Sequence, residues 1–445
     1  MKQVFFGILT AIILGGGFLA IKEGNLSFKR NSKDDKLISP ISQDLKLDVL
    51  GERNTKRKEE RNIVYGYLPY WTVQETENFD LKTLTDIAYF GLYIDEEGNF
   101  IKTQTNDEGE SLGNPGYNTW HNNEKLKTFI QKAKNAKVDI SLTIISHVDD
   151  TSTKFLNCGE DCWKNFYENL KAEMKVHNVE DVNLNFEYYE TVDKEIALKY
   201  SDFALYVKKE LNKDYENPEL VVTTFADSLI NNRVSDVESL AKIADKLFIM
   251  GYDFHVTPSD KASPVSPMGG NGVHAGYDVR TMLKDYLSYA PPQKLILGVP
   301  YYGFDWGKGE EIEITEAESQ DEKKDEKDTE ENGEDSESAE ENDSKEQKEN
   351  VKIIRDSSTI AYADIIKHIE ETGAKVQWDE LGQVPYYEYQ DEDEEKTRKV
   401  YFENAKSLKV KYEIAKEYEL AGVGIWALGY DADRPELWQL LEQEF

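Results

Sequence analysis

The residues best placed to do chemistry lie in Asp181-Val182-Asn183-Leu184-Asn185-Phe186-Glu187. Read as a strand, the segment puts Asn183, Asn185 and Glu187 on one face and Val182, Leu184 and Phe186 on the other. On a half-exposed strand the polar face would simply meet water. In a parallel barrel, with helices outside and a packed interior, three polar groups in a row need partners or a ligand, because burying them unpaired is costly. Other chemistry-bearing side chains fall near the ends of apolar runs: Met250-Gly251-Tyr252-Asp253, Tyr301-Tyr302, Trp426, Tyr65, Tyr67 and Phe90. A carboxylate among aromatic rings suits a sugar. The rings stack on apolar sugar faces and desolvate the acid, which raises its pKa toward that of a general acid. Any one of these rings is equally well a core residue. Their gathering at one end of the strands favours a site.

The elements that must position them follow from the apolar periodicity. Eight short β-rich runs are read as strands: 63–68, 86–92, 139–145, 182–187, 220–225, 246–252, 295–300 and 422–427. Amphipathic segments between most of them, such as 123–134, 163–174 and 194–211, read as helices. Strands alternating with helices in this number predict an α/β fold, a (β/α)8 TIM barrel over residues 62–445. Its site would lie where the strands end, at the C-terminal face. Two stretches interrupt the seventh connection. Residues 307–350 form an acidic tract without packing residues, expected to be disordered. Residues 352–403, with Trp378, Tyr386, Tyr387 and Tyr389, are expected to form a small α+β insertion domain walling one side of a cleft.

Composition limits the partners. The net charge of −34 over 445 residues excludes a nucleic-acid-binding surface. Much of it is local: Glu310 to Asn350 holds about 20 Asp and Glu against five Lys. Residues 1–24 contain an apolar run, Val4 to Ile21, behind Lys2, long enough for a membrane span or a secretory signal. Phe18 two residues before Ala20 makes a poor cleavage site, so the reading leans to an uncleaved anchor. Residues 25–61 then form a charged linker, and the remainder is expected outside the cytoplasm. In such a compartment Cys158 and Cys162 would pair as a local disulfide. The six histidines are scattered, so neither metal nor cofactor is expected. A monomer is expected.

These motifs resemble glycoside hydrolase family 18, the chitinase family. Glu180 to Glu187 is similar to its Asp-x-x-Asp-x-Asp-x-Glu signature on strand four. Tyr65 to Trp71 resembles its first strand, Met250 to Asp253 its Met-x-Tyr-Asp motif, and Gly298 to Gly303 and Gly424 to Asp431 its last two strands. The resemblance implies a glycosidase acting on polymers containing N-acetylglucosamine, in which the substrate's own acetamido group is the nucleophile. Glu187 would then be the general acid, and Tyr252 would hydrogen-bond the acetamido carbonyl. Asp253 would hold the same sugar and Trp426 its floor. Asn183, Met250, Tyr65, Phe90 and Tyr302 complete the expected substrate contacts. Asn185 would orient the acetamido nitrogen. The family usually has Asp there, and the bacterial spore-cortex members read Asn-x-Asp-x-Glu. An amide at 185 therefore leaves two readings open: a weakened enzyme, or a chitinase-like sugar-binding protein.

Overall fold

The computed structural model describes residues 62–105, 109–259, 261–307, 310–314, 349–353, 356–391 and 396–445. The apolar run, the linker and most of the acidic tract lie outside the described residues. Eight parallel strands close a barrel: β1 (Ile63–Pro69), β2 (Asp86–Tyr93), β3 (Asp139–Ser146), β4 (Asp181–Phe186), β5 (Leu220–Phe225), β6 (Lys246–Met250), β7 (Leu295–Pro300) and β8 (Gly422–Trp426). Each pairs parallel with the next, with a register shift between Tyr89 and Leu92 where β2 meets β3, and β8 closes on β1. The long runs form strands because both faces are buried. Outward residues such as Val182, Leu184 and Val222 meet the helices, and inward residues fill the lumen. Helices Glu124–Asn135, Glu160–His177 and Lys194–Asp214 cover the outside, close to the expected segments. A helix over Asp149–Cys158, absent from the sequence reading, follows β3 directly.

Phe248 plugs the lumen. A Cβ at Gly424 would lie 2.0 Å from its ring, and one at Gly298 2.6 Å, so β7 and β8 both need glycine beside it. Tyr65 and Tyr67 pack on the same ring, with centroids 5.6 and 4.8 Å away.

Two boundaries differ from the sequence reading. Strand β4 ends at Phe186, so Glu187 is the first residue beyond it, and β6 ends at Met250, leaving Tyr252 and Asp253 on the following loop. Backbone pairing ends where the barrel mouth opens, which frees these side chains from the ladder.

The material after β7 begins earlier than expected. Tyr302–Trp306 is already the second strand of a five-stranded antiparallel sheet. Its other strands are Ser357–Ala361, Lys396–Tyr401, Val384–Asp391 and Gln377–Asp379. Helix Tyr362–Thr372 packs Ile365 against Tyr387, Val400 and Phe402 of this sheet. The ends of the acidic tract also differ from expectation: Glu310–Ile314 pairs antiparallel with Glu349–Ile353. The long loop after β6 is tied to the sheet by His274 Nε2 to Asp379 (2.9 Å) and Trp306 Nε1 to the Ser263 carbonyl (3.0 Å). Cys158 and Cys162 are joined as a disulfide across the turn between two helices, with Cα atoms 5.8 Å apart. Among the described residues no helix is long and apolar enough to cross a membrane.

Candidate active site

The inward face of β4 climbs through the lumen in layers. In the lower layer Tyr65 is buried, its hydroxyl 3.4 Å from Ser141 Oγ. Above it Asn183 is fully buried: Tyr67 OH donates to its Oδ1 (3.1 Å), and its Nδ2 donates to Thr223 Oγ1 (3.1 Å). Tyr67 OH and Thr223 Oγ1 close that triangle at 2.6 Å. Asn183 and Tyr65 were expected among the substrate contacts. Both lie beneath the site, with polar atoms already bonded, and they support the layer above.

The top layer is the mouth. Asn185 Nδ2 donates to Glu187 Oε1 at 2.8 Å. His147, immediately after β3, brings Nε2 to 3.2 Å from the same oxygen and to 3.0 Å from Asn185 Nδ2. The other oxygen, Oε2, accepts from Tyr189 OH at 3.3 Å. The Glu187 backbone N–H donates to the Ser146 carbonyl (3.0 Å), which fixes where the side chain starts. The loop beyond it is gripped from both sides. Asp149 accepts the N–H groups of Tyr189 and Glu190, and Arg233, paired with Asp227, donates to the Tyr188 and Tyr189 carbonyls.

This geometry changes the expected electrostatics of the acid. Burial alone pushes the Glu187 carboxyl up, as the aromatic surroundings suggest. The charge of His147 and the hydrogen bonds from His147, Asn185 and Tyr189 outweigh it, and the net position is below the usual glutamate range. His147 and Tyr189 were missed in the sequence. The available signal was the position of each, one directly after β3 and one two residues beyond the acid, since strand ends face the mouth.

Across the mouth, Tyr252 is buried, and that burial drives its hydroxyl well above the usual tyrosine range, so it stays a donor. Asp253 sits in the left-handed region at φ 57 and accepts from Tyr302 OH at 2.5 Å. Desolvation by its surroundings raises its carboxyl to about 6, the Tyr302 bond opposes that rise, and the charge of Glu187 adds to it. Asp253 is nevertheless open to the solvent in the cleft, and that exposure screens its charge and weakens the shift. Trp426 is half-buried, with ring centroids 4.7 Å from Phe90, 5.4 Å from Tyr67 and 6.4 Å from the exposed Trp71. Met250 is half-buried against the same aromatic cluster. The structure thus brings Glu187, Asn185, Tyr252, Asp253, Tyr302, Phe90, Met250 and Trp426 to one end of the barrel. Among the described residues no group of three or more His, Cys, Asp or Glu is placed to hold a metal ion.

A closed (β/α)8 barrel with a carboxylate just past β4 and an aromatic floor from β8 belongs to the class of barrel glycosidases. The family model for glycosyl hydrolases family 18 matches residues 63–431, and the chain belongs to that family. The chain is 22% identical over 270 residues to the cortical fragment-lytic enzyme of Bacillus subtilis (strain 168), a match covering 60% of this chain and 49% of that enzyme. It is 24% identical over 320 residues to the uncharacterized glycosylase YvbX of the same organism, covering 71% and 74% of the two chains. The crystal structure of the spore cortex-lytic enzyme SleL from Bacillus megaterium QM B1551 shares the fold. Its TM-score is 0.60 at 21% identity, over 86% of this chain and 74% of that one. The chain therefore spans about half the length of the cortical fragment-lytic relative.

Proposed function

We propose that the chain hydrolyses β-linked N-acetylglucosamine polymers, chitin or the glycan of peptidoglycan, by a substrate-assisted retaining reaction. The carrying observation is that Glu187 shares one mouth with Tyr252 and Asp253, close enough for its charge to act on both, above the aromatic floor of Phe90 and Trp426. In this reading Glu187 gives its proton to the glycosidic oxygen as the bond to the anomeric carbon breaks. The acetamido oxygen of the same sugar attacks that carbon, with Tyr252 OH donating to it. Water then opens the oxazolinium ion, and the Glu187 carboxylate takes its proton. Asn185 Oδ1, buried and without a partner among the described residues, supports the remaining role, accepting the acetamido N–H.

A second reading, a sugar-binding protein without turnover, is favoured by one specific feature. Asn185 offers no negative charge to the developing cation, and Glu187 is held toward its carboxylate. Turnover of a fluorogenic di-N-acetylchitobioside, blocked by a thiazoline that mimics the oxazolinium ion, supports the enzyme. Binding of both compounds with no turnover between about pH 4 and 8 would leave only the binder. The apolar run Val4 to Ile21 and the Cys158–Cys162 disulfide support a membrane-tethered, extracytoplasmic location. Sizing the mature N-terminus by mass spectrometry tests the tether.

A further inference from the structure

The three polar atoms at the mouth form a triangle: Asn185 Nδ2 to Glu187 Oε1 at 2.8 Å, His147 Nε2 to that oxygen at 3.2 Å, and His147 Nε2 to Asn185 Nδ2 at 3.0 Å. All three side chains are largely shielded: the His147 and Glu187 side chains are 20% and 16% exposed, and Asn185 is buried. The imidazole is aimed by its neighbours. Phe90 and Tyr93 of β2 lie against it, with ring centroids 6.1 and 5.8 Å away. Nothing in the proposed hydrolysis uses this histidine, yet it lies within hydrogen-bond distance of the acid.

We propose that His147 is a positioning residue for Glu187, holding the free site with its acid ionised and so confining hydrolysis to acidic solution. The inference rests on Glu187 being the general acid. Every group that faces Glu187 bears on the balance. From the residue just after β3, the His147 imidazole brings Nε2 to 3.2 Å from Oε1. From β4, Asn185 is a neutral donor. From the acid's own loop, Tyr189 is another neutral donor. Tyr67 of β1 and Tyr93 of β2 are neutral phenols that the Glu187 charge reaches. From the loop after β6, Tyr252 is neutral, and Asp253 is a carboxyl whose charge repels that of Glu187. His147 is the one basic side chain in this set, with Nε2 3.2 Å from the acid. It is therefore the group that holds Glu187 as a carboxylate. Falling pH adds a proton to the carboxyl against the pull of the imidazole, and the site then carries its acid.

The test uses the full chain and His147→Gln, in which Gln Nε2 can still donate to Oε1 but carries no charge. The alkaline limb of the kcat/KM profile on the fluorogenic di-N-acetylchitobioside should move to higher pH in His147→Gln. Turnover at about pH 8 should rise relative to that at about pH 5. A second readout needs no turnover: the 13C signal of the Glu187 carboxyl, assigned by its loss in Glu187→Gln, should titrate at higher pH in His147→Gln than in the wild type. His147→Ala should move both readouts the same way if the Gln variant folds poorly. A lower rate with both midpoints unmoved would mean that His147 is only structural, and the proposal would be overturned. A rise in KM alone would make it a substrate contact and overturn it equally. A shifted carboxyl titration in a protein without turnover would sustain the pairing while removing the glycosidase reading.

Discussion

Asn185→Asp is the change that most sharply separates a weakened enzyme from a cleft built around an amide. In the wild type the Asn185 amide donates to Glu187 Oε1 at 2.8 Å and lies 3.0 Å from His147 Nε2. An aspartate there places a carboxylate oxygen against a carboxylate oxygen. At an effective dielectric constant near 20, two unit charges that close repel by roughly 4–6 kcal/mol. Both cannot stay ionised, so one proton is retained between them, and Glu187 is held in the form that an acid needs. The new oxygen also accepts from His147, diverting its charge from Glu187. In the reaction the aspartate opposes the developing oxazolinium charge, and a well-placed group of this kind contributes roughly 3–4 kcal/mol. Some of that gain is lost if the carboxylate shares its proton, so the expected rise in kcat at neutral pH is about tenfold to a hundredfold. Steady-state turnover of the fluorogenic chitobioside, with folding checked by circular dichroism, measures it. A kcat that falls in a folded Asn185→Asp protein would mean that the amide donor is what the site requires.

Other outcomes follow from the same geometry. Tyr252→Phe removes one hydroxyl donor from a buried position, so kcat should fall by about 10²–10³ with little change in KM, read from Michaelis curves. Lys411 donates to both Glu403 oxygens at 2.9 Å with both side chains almost wholly buried; Lys411→Met should cost about 3–5 kcal/mol in urea unfolding, and adding Glu403→Leu should recover most of it. Burial raises the Asp431 carboxyl to about 7. A carboxyl raised in the folded state takes up protons on folding, so stability falls as pH rises from its unfolded value toward 7. Wild type should lose about 3 kcal/mol from this group between pH 5 and 8, and Asp431→Asn should not, as urea curves at the two pH values would show.

The barrel was legible because its strands are buried on both faces. Continuous runs such as Leu295–Pro300 carry β-branched and aliphatic residues too short for helices, and the spacing between runs admits only helical crossovers. The acid was legible because Asn183, Asn185 and Glu187 alternate on a face that a barrel must bury. Alternation does not give depth, however. Asn183 and Tyr65 share faces with site residues but lie below them, where side chains from other barrel strands engage their polar atoms. His147 could not be picked out because a single histidine after a strand has no periodicity, and its partner lies on the next strand across. The insertion sheet was under-read at its start. Tyr302–Trp306 looks like the tail of β7, and its partners come from residues 50 and more positions later.

The proposed function stands or falls with Glu187 as the acid of a working glycosidase. Its most direct test compares wild type and Glu187→Gln for hydrolysis of the fluorogenic di-N-acetylchitobioside at about pH 5, with tryptophan fluorescence reporting sugar binding at Trp426 and Trp71. Wild-type turnover should drop by a factor of about 10³ or more in Glu187→Gln while binding persists. Equal turnover in the two proteins, or tight binding without turnover in the wild type, would contradict it.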